Sequence, residues 1–115
     1  MQNLKTHHSD ILRARLAITA VALEFGIIDM PVKRPRGGSS RVSFARQIAM
    51  YLTHTVYQIN LARVARVYSR DRSTASHACR VVEDCRDDPF MDARISRLEA
   101  FLENAPLPAP ELDDA

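Results

Sequence analysis

Residues 70 to 80 read Arg70-Asp71-Arg72-Ser73-Thr74-Ala75-Ser76-His77-Ala78-Cys79-Arg80, and helical spacing separates them into two faces. One face is apolar, with the i, i+3, i+4, i+7 repeat of a stripe that packs on a core, and consists of Ala75, Ala78, Cys79 and Val82. The opposite face is polar and consists of Ser73, His77 and Arg80. Short hydrogen-bonding and cationic side chains on an exposed helix face suit entry into a DNA major groove.

A shorter helix is predicted just before this one. Asn60 is a suitable N-cap, and the apolar face that follows consists of Leu61, Val64, Ala65 and Tyr68, with Arg63 and Arg66 expected to face water. Ser69 to Asp71 form a tight turn, and Asp71 can cap the second helix, where a negative group also suits the helix dipole. Two helices joined by such a turn predict a helix-turn-helix.

Three more helices complete an all-α prediction. The first is capped by Ser9 or Asp10 and runs to about Phe25; it is apolar over more than one face, so it is either an additional core helix or a docking surface. Another begins at Ser43, and its helically spaced apolar residues are Phe44, Ile48, Tyr51, Leu52 and Val56. The last follows Pro89, and its stripe consists of Met91, Ile95, Leu98 and Leu102.

These elements divide the chain into four segments. Residues 1–28 form the N-terminal helix, and residues 29–42 form a basic loop with two prolines and a glycine pair. Residues 43–104 form the helix-turn-helix domain. Residues 105–115 form an acidic, proline-rich tail that we expect to be disordered.

The modest net charge of +2 conceals a strong partition along the chain. Residues 33–80 hold ten Lys or Arg against a single acid, a net charge of +9. Residues 81–115 hold ten acids against three arginines, a net charge of −7, and residues 1–32 are neutral. The middle of the chain is therefore the candidate polyanion-binding region.

The sequence lacks the patterns typical of membrane proteins, secreted proteins, metalloproteins and enzymes. No stretch is long and apolar enough to cross a bilayer, and no signal-peptide order is present, so we expect a cytoplasmic protein without a membrane partner. Cys79 and Cys85 have neither a redox nor a zinc spacing, and we interpret Cys79 as a small core residue. No nucleophile, base or ligand set converges, so we expect no catalysis, no cofactor, no metal and no small-molecule substrate.

Two motifs resemble a known family. Arg46-Gln47-Ile48-Ala49-Met50-Tyr51-Leu52, followed about twenty residues later by Arg70-Asp71-x-x-Thr74-x-x-His77-Ala78-Cys79-Arg80, closely resembles the C-terminal DNA-binding domain of the bacterial replication initiator DnaA. The resemblance covers residues 42 to about 102. It implies an all-helical domain, here with an additional N-terminal helix, that recognises short boxes in origins and promoters. A recognition helix would enter the major groove and a basic loop the adjacent minor groove.

The resemblance also assigns candidate contacts. Matching positions in the second motif are Arg70, Asp71, Thr74 and His77, and Arg46 and Gln47 would lie near the phosphates on the preceding helix. The remaining candidates are cationic or flank these positions and are Arg34, Arg36, Arg41, Arg72, Ser73 and Arg80.

Three departures distinguish this chain from the family pattern. Arg72-Ser73 stands where the family usually has His-Thr. The preceding turn, Tyr68-Ser69-Arg70, is one residue shorter than the usual Phe-Gly-Gly-Arg. Phe44 occupies the position expected for a minor-groove arginine, which leaves Arg41 or the cluster of Arg34 and Arg36 as substitutes.

Two hypotheses follow. The first is a sequence-specific binder of double-stranded DNA that regulates replication initiation or transcription from DnaA-like boxes and is associated with the bacterial nucleoid. The second is an interaction protein that retains the initiator fold but binds the initiator or its AAA+ regulator, with weak or no specific DNA binding. The basic middle region favours the first, and the departures at Phe44 and Arg72 favour the second.

Overall fold

The structure of the protein is a computed structural model that describes residues 4–30, 32 and 39–107. This part of the chain contains five helices and no strand: α1 (Leu4–Phe25), α2 (Ser40–Tyr57), α3 (Leu61–Val67), α4 (Arg72–Cys85) and α5 (Pro89–Asn104). The predicted all-α class is confirmed. Arg34 and Arg36, and the predicted tail from residue 108 onward, lie outside the described residues.

Helix α2 is the central element and packs against each of the other four helices. Its buried residues include Ile48, Ala49 and Leu52, which are fully enclosed. Helices α3 and α4 pack against one side of it and against each other, while α1 also contacts α3 and α5. Because α2 joins both groups, the helix-turn-helix is held on the same core as the terminal helices.

The N-terminal helix is a core element rather than an attachment. Ala14, Ala17 and Val21 are completely buried, so this face of α1 packs on the core as one of the two interpretations predicted, while Leu23 of the same helix stays exposed. The predicted start at Ser9 or Asp10 is wrong, since α1 begins at Leu4. Asp10 is not a cap but a buried residue in the helix interior, paired with Arg63 of α3.

Helix α2 begins three residues earlier than predicted. Ser39 caps it by accepting a hydrogen bond from the backbone N–H of Val42, so residues 40–42 belong to the helix and not to the basic loop. The preceding loop is also partly anchored, because Met30 is buried in the core and Val32 packs against it. At the far end of α2, the hydroxyl of Thr53 lies 3.0 Å from that of Tyr68. Burial raises the pKa of the Tyr68 phenol above its ordinary value.

The predicted helix-turn-helix is formed by α3, the turn at residues 68–71, and α4. Both predicted caps are confirmed: Asn60 accepts from the backbone N–H of Arg63, and Asp71 from that of Thr74. Ser69 in the turn has a φ of 57°, and the N–H of Arg70 bonds the carbonyl of Ala65 at 2.8 Å. These local bonds hold the conformation of the turn between α3 and α4.

The buried stripe of α4 is confirmed for Ala75, Ala78 and Val82, whereas Cys79 is only partly buried. Burial and the nearby Glu83 carboxylate together raise the pKa of Cys79 to about 11. Helix α5 is capped by Asp88, carries Pro89 in its first turn, and buries Ile95, Leu98 and Leu102 as predicted. Met91 from the same predicted stripe is only partly buried.

Candidate DNA-binding surface

The first turn of α4 is organised around the carboxylate of Asp71. Its Oδ1 accepts hydrogen bonds from the backbone N–H of Thr74 at 3.0 Å, the Thr74 hydroxyl at 2.8 Å and the Ser73 hydroxyl at 2.9 Å. Hydrogen bonds from the Thr74 hydroxyl and backbone, then from Ser73, hold the pKa of Asp71 below its usual range. The carboxylate therefore stays ionised, and the two hydroxyls direct their protons toward it.

Cationic and polar side chains surround this turn. Arg72 and His77 are exposed, as is Arg80, whose Nη1 donates a hydrogen bond to the Ser76 hydroxyl at 2.9 Å. The predicted polar face of α4, which consists of Ser73, His77 and Arg80, is therefore exposed, and Arg72 adds a further cation at the start of the helix. The cations Arg72 and Arg80 thus lie on the side of α4 that faces away from the core.

A cleft of about 200 Å³ lies between this turn and α2. It brings together four of the predicted site residues, Arg46, Gln47, Arg70 and Thr74. Arg46 is only 2% exposed, so it lies at the base of this cleft and not on the outer surface of α2. The basic character of the surface therefore continues inward between α2 and α4.

Two cleft residues were not among the predicted contacts. Ser43 and Met50 complete the lining of this cleft on the α2 side. A signal for them was present in the sequence, because residues 43, 46, 47 and 50 follow the i, i+3, i+4, i+7 spacing of one helix face.

Arg41 does not extend from a loop as predicted but lies in the first turn of α2. Its side chain is exposed, and its Nη2 donates a hydrogen bond to the carbonyl oxygen of Phe25 at the end of α1. A cation at a helix C-terminus also interacts favourably with the helix dipole. The contact therefore holds the start of α2 against the end of α1.

Phe44, which replaces the expected arginine, has a structural explanation. Its ring meets that of Phe25 edge to face, with centroids 6.4 Å apart and an interplanar angle of 79°. The guanidinium of Arg94 covers the Phe25 ring at 4.0 Å. An apolar side chain at position 44 thus belongs to the contact of α1, α2 and α5, where an arginine would leave the Phe25 edge without its aromatic partner.

A second, apolar groove of about 340 Å³ lies between α1 and α5. It is lined by Ala20, Leu23, Glu24, Arg97, Leu98 and Phe101. Leu23 is 78% exposed and Phe101 is 54% exposed, which is high for large apolar side chains. No residue of this groove belongs to the cleft beside α4.

The described residues contain no group of three or more His, Cys, Asp or Glu side chains that could hold a metal ion. Cys79 and Cys85 are free thiols. Among the same residues, no helix has the length and apolar character required to cross a membrane.

Comparison with known proteins places these features in a family context. The family model described as bacterial dnaA protein helix-turn-helix matches residues 15–82. The match therefore begins within α1, includes α2 and α3, and ends in α4. No solved structure matches the chain.

Two curated relatives carry the same printed name, chromosomal replication initiator protein DnaA. The protein from Desulfotalea psychrophila is 38% identical over 64 residues, which cover 55% of this chain and 13% of the relative. The protein from Aquifex aeolicus is 39% identical over 66 residues, which cover 56% of this chain and 16% of the relative. The matched regions thus span less than a fifth of the length of either relative.

Proposed function

Because this chain belongs to the family of bacterial DnaA helix-turn-helix domains, we propose that it binds double-stranded DNA sequence-specifically at DnaA-box-like sites and thereby regulates replication initiation or transcription. Membership of the family implies DNA binding in replication initiation. The observation that carries the more specific proposal is the first turn of α4, which is capped by Asp71 and exposes Arg72 and Ser73, with His77 exposed one turn further along. In a helix-turn-helix, this turn contacts base edges.

The hydroxyl and the methyl group of Thr74 would each make a different contact with a DNA base. Its hydroxyl proton is directed to Asp71, so toward DNA the oxygen acts as an acceptor. The methyl group remains available for an apolar contact with the methyl of a thymine. His77 lies on the polar face one turn further along α4 and supplies a ring nitrogen donor.

Phosphate contacts would come from arginines on both sides of the first turn of α4, which we call the recognition turn. Arg70 lines the cleft and Arg80 lies on the outer face of α4, while the buried Arg46 at the base of the cleft would add its positive charge beneath the phosphates. Arg34, Arg36 and Arg41 from the predicted basic segment, together with Gln47, would extend the contact. About six phosphate contacts predict that affinity falls by ~10³ between low and physiological salt.

The decisive test is a salt-varied binding titration of the full chain against a DnaA-box duplex and a scrambled duplex of equal composition. We expect tighter binding to the box, and we expect Thr74→Ala and His77→Ala to reduce that preference. Thr19→Ala, an exposed substitution on α1, is the matched control and should leave the preference unchanged. Equal affinity of the wild-type protein for both duplexes would contradict sequence-specific binding.

A second candidate function is supported by the groove between α1 and α5. Its exposed Leu23 and Phe101 fit an interaction protein that binds the initiator or its AAA+ regulator. Capture of each purified protein by the wild-type chain and by Leu23→Ser and Phe101→Ser variants tests this alternative. Deletion of α1 is unsuitable because that helix supplies core residues. Loss of capture in both groove variants with retention in His77→Ala would favour the interaction role.

A further inference from the structure

Several hydrogen-bond donors on α4 near Arg72 are engaged within the protein. The hydroxyls of Ser73 and Thr74 donate to Asp71, and the Nη1 of Arg80 donates to Ser76. Arg72 differs, because its side chain makes no hydrogen bond or ion pair with any residue in the described part of the chain. It is also exposed and is the first residue of the helix. Arg72 is therefore the side chain of this turn whose donors are available to a ligand.

We propose that Arg72 is a specificity-determining residue that reads a guanine in the major groove of the target DNA. This inference rests on the proposed function and names one base that the surface would select. A guanidinium presents two parallel donors, and guanine presents two acceptors, O6 and N7, on its major-groove edge. Adenine and cytosine each place an amino donor on that edge, and thymine offers a single acceptor, so none of them satisfies both donors.

The two neighbouring arginines, Arg70 and Arg80, differ from Arg72 in exposure, position and hydrogen bonding. Arg70 is half-buried and lines the cleft beside α2, and Arg80 lies two turns further along α4, bonded to Ser76. Residues at the N-terminal end of a recognition helix approach base edges, whereas cations further from that end approach the backbone. Only the position of Arg72 combines the end of the helix with exposure and free donors in the described part of the chain.

The test begins with selection from a pool of randomised duplexes, using the full-length wild-type protein and Arg72→Gln. The wild-type protein should enrich a motif with an essential guanine, and Arg72→Gln should enrich the same motif with that guanine preference lost or replaced by adenine, whose N6 and N7 match a glutamine amide. Arg72→Lys retains the charge but not the planar fork, and because an ammonium can also donate to O6 and N7, it should retain a weaker guanine preference. Arg15→Gln, which removes an exposed arginine of α1, is the matched control and should select the wild-type motif.

A chemical substitution in the DNA then tests the contact itself. Replacing that guanine by 7-deazaguanine removes the N7 acceptor and should weaken wild-type binding by about tenfold, within the range for a bidentate pair. The same replacement should leave the affinity of Arg72→Gln unchanged. Circular dichroism of each variant verifies that the helices are intact.

The outcomes separate the inference from the function on which it rests. An unaltered motif in Arg72→Gln, with uniformly weaker binding and a salt slope reduced by about one, would make Arg72 a phosphate contact and overturn the inference alone. Wild-type protein that enriches no motif would overturn both this inference and the proposed function.

Discussion

Asp10 of α1 and Arg63 of α3, which are 53 residues apart in sequence, form a two-point ion pair between the two helices. The Nε of Arg63 lies 2.9 Å from Oδ2, and its Nη2 lies 2.7 Å from Oδ1. The Asp10 side chain is fully buried, and the Arg63 side chain is 29% exposed. The hydrogen bond from its guanidinium to the Asp10 carboxylate raises the pKa of Arg63, so the guanidinium remains charged. This contact fixes the first helix of the helix-turn-helix to the N-terminal helix.

Removing Arg63 should therefore destabilise the whole domain. Arg63→Met leaves the buried carboxylate of Asp10 without its arginine, and we expect a loss of about 3 kcal/mol in the free energy of unfolding. Urea unfolding followed by circular dichroism measures it. Arg15→Met, an exposed arginine of α1, is the control and should change stability by less than about 0.5 kcal/mol. A similar small change in Arg63→Met would show that the pair contributes little.

A second ionic contact predicts the acid sensitivity of the fold. Glu24 of α1 accepts hydrogen bonds from Arg94 at 2.9 Å and Arg97 at 3.2 Å, both on α5. The hydrogen bond from Arg94 outweighs desolvation and, with Arg97, lowers the pKa of Glu24 below its ordinary value. Its contribution to stability is then complete above the ordinary carboxyl pKa and is lost as pH falls through the lowered one.

We expect Glu24→Gln to flatten the fall in unfolding free energy between about pH 5 and pH 3 relative to the wild-type protein. Unfolding titrations at several pH values measure this. Glu103→Gln, an exposed position on the same helix as Arg94, serves as control and should retain the wild-type slope. Parallel pH profiles for the wild-type protein and Glu24→Gln would contradict the assignment.

The helix-turn-helix could be predicted from the sequence because its determinants are local. Asn60 and Asp71 each bond a backbone N–H three residues later, so a short window contains both partners. The Asp10 pair could not be predicted, since its partner lies on another helix and Ser9-Asp10 looks like a cap. The buried position of Arg46 and the ring contact of Phe44 with Phe25 likewise depend on how α1 and α4 pack against α2.

The turn between α3 and α4 predicts a stabilising substitution. Ser69 has a φ of 57°, a conformation that a residue with a Cβ adopts at a cost of about 1 kcal/mol. Ser69→Gly removes that cost but adds freedom to the unfolded chain, so we expect a net gain of up to about 0.5 kcal/mol. Ala100→Gly, in an exposed interior position of α5, should instead lose about 1 kcal/mol. Thermal unfolding of both variants distinguishes relief of strain from a general effect of glycine.

Asp71 provides the sharpest test of how the recognition turn works. Its carboxylate caps α4 and accepts hydrogen bonds from the hydroxyls of Ser73 and Thr74. Asp71→Ala should therefore lower the midpoint temperature of unfolding and reduce the preference for the target DNA sequence. Asp71→Ser retains a capping oxygen but removes the charge. If Asp71 acts by organising the turn, the serine variant should recover most of the stability and sequence preference, as measured by thermal unfolding and competition binding. Recovery of stability without recovery of preference would instead show that the carboxylate itself contacts a base, since a carboxylate can accept a hydrogen bond from the amino group of cytosine.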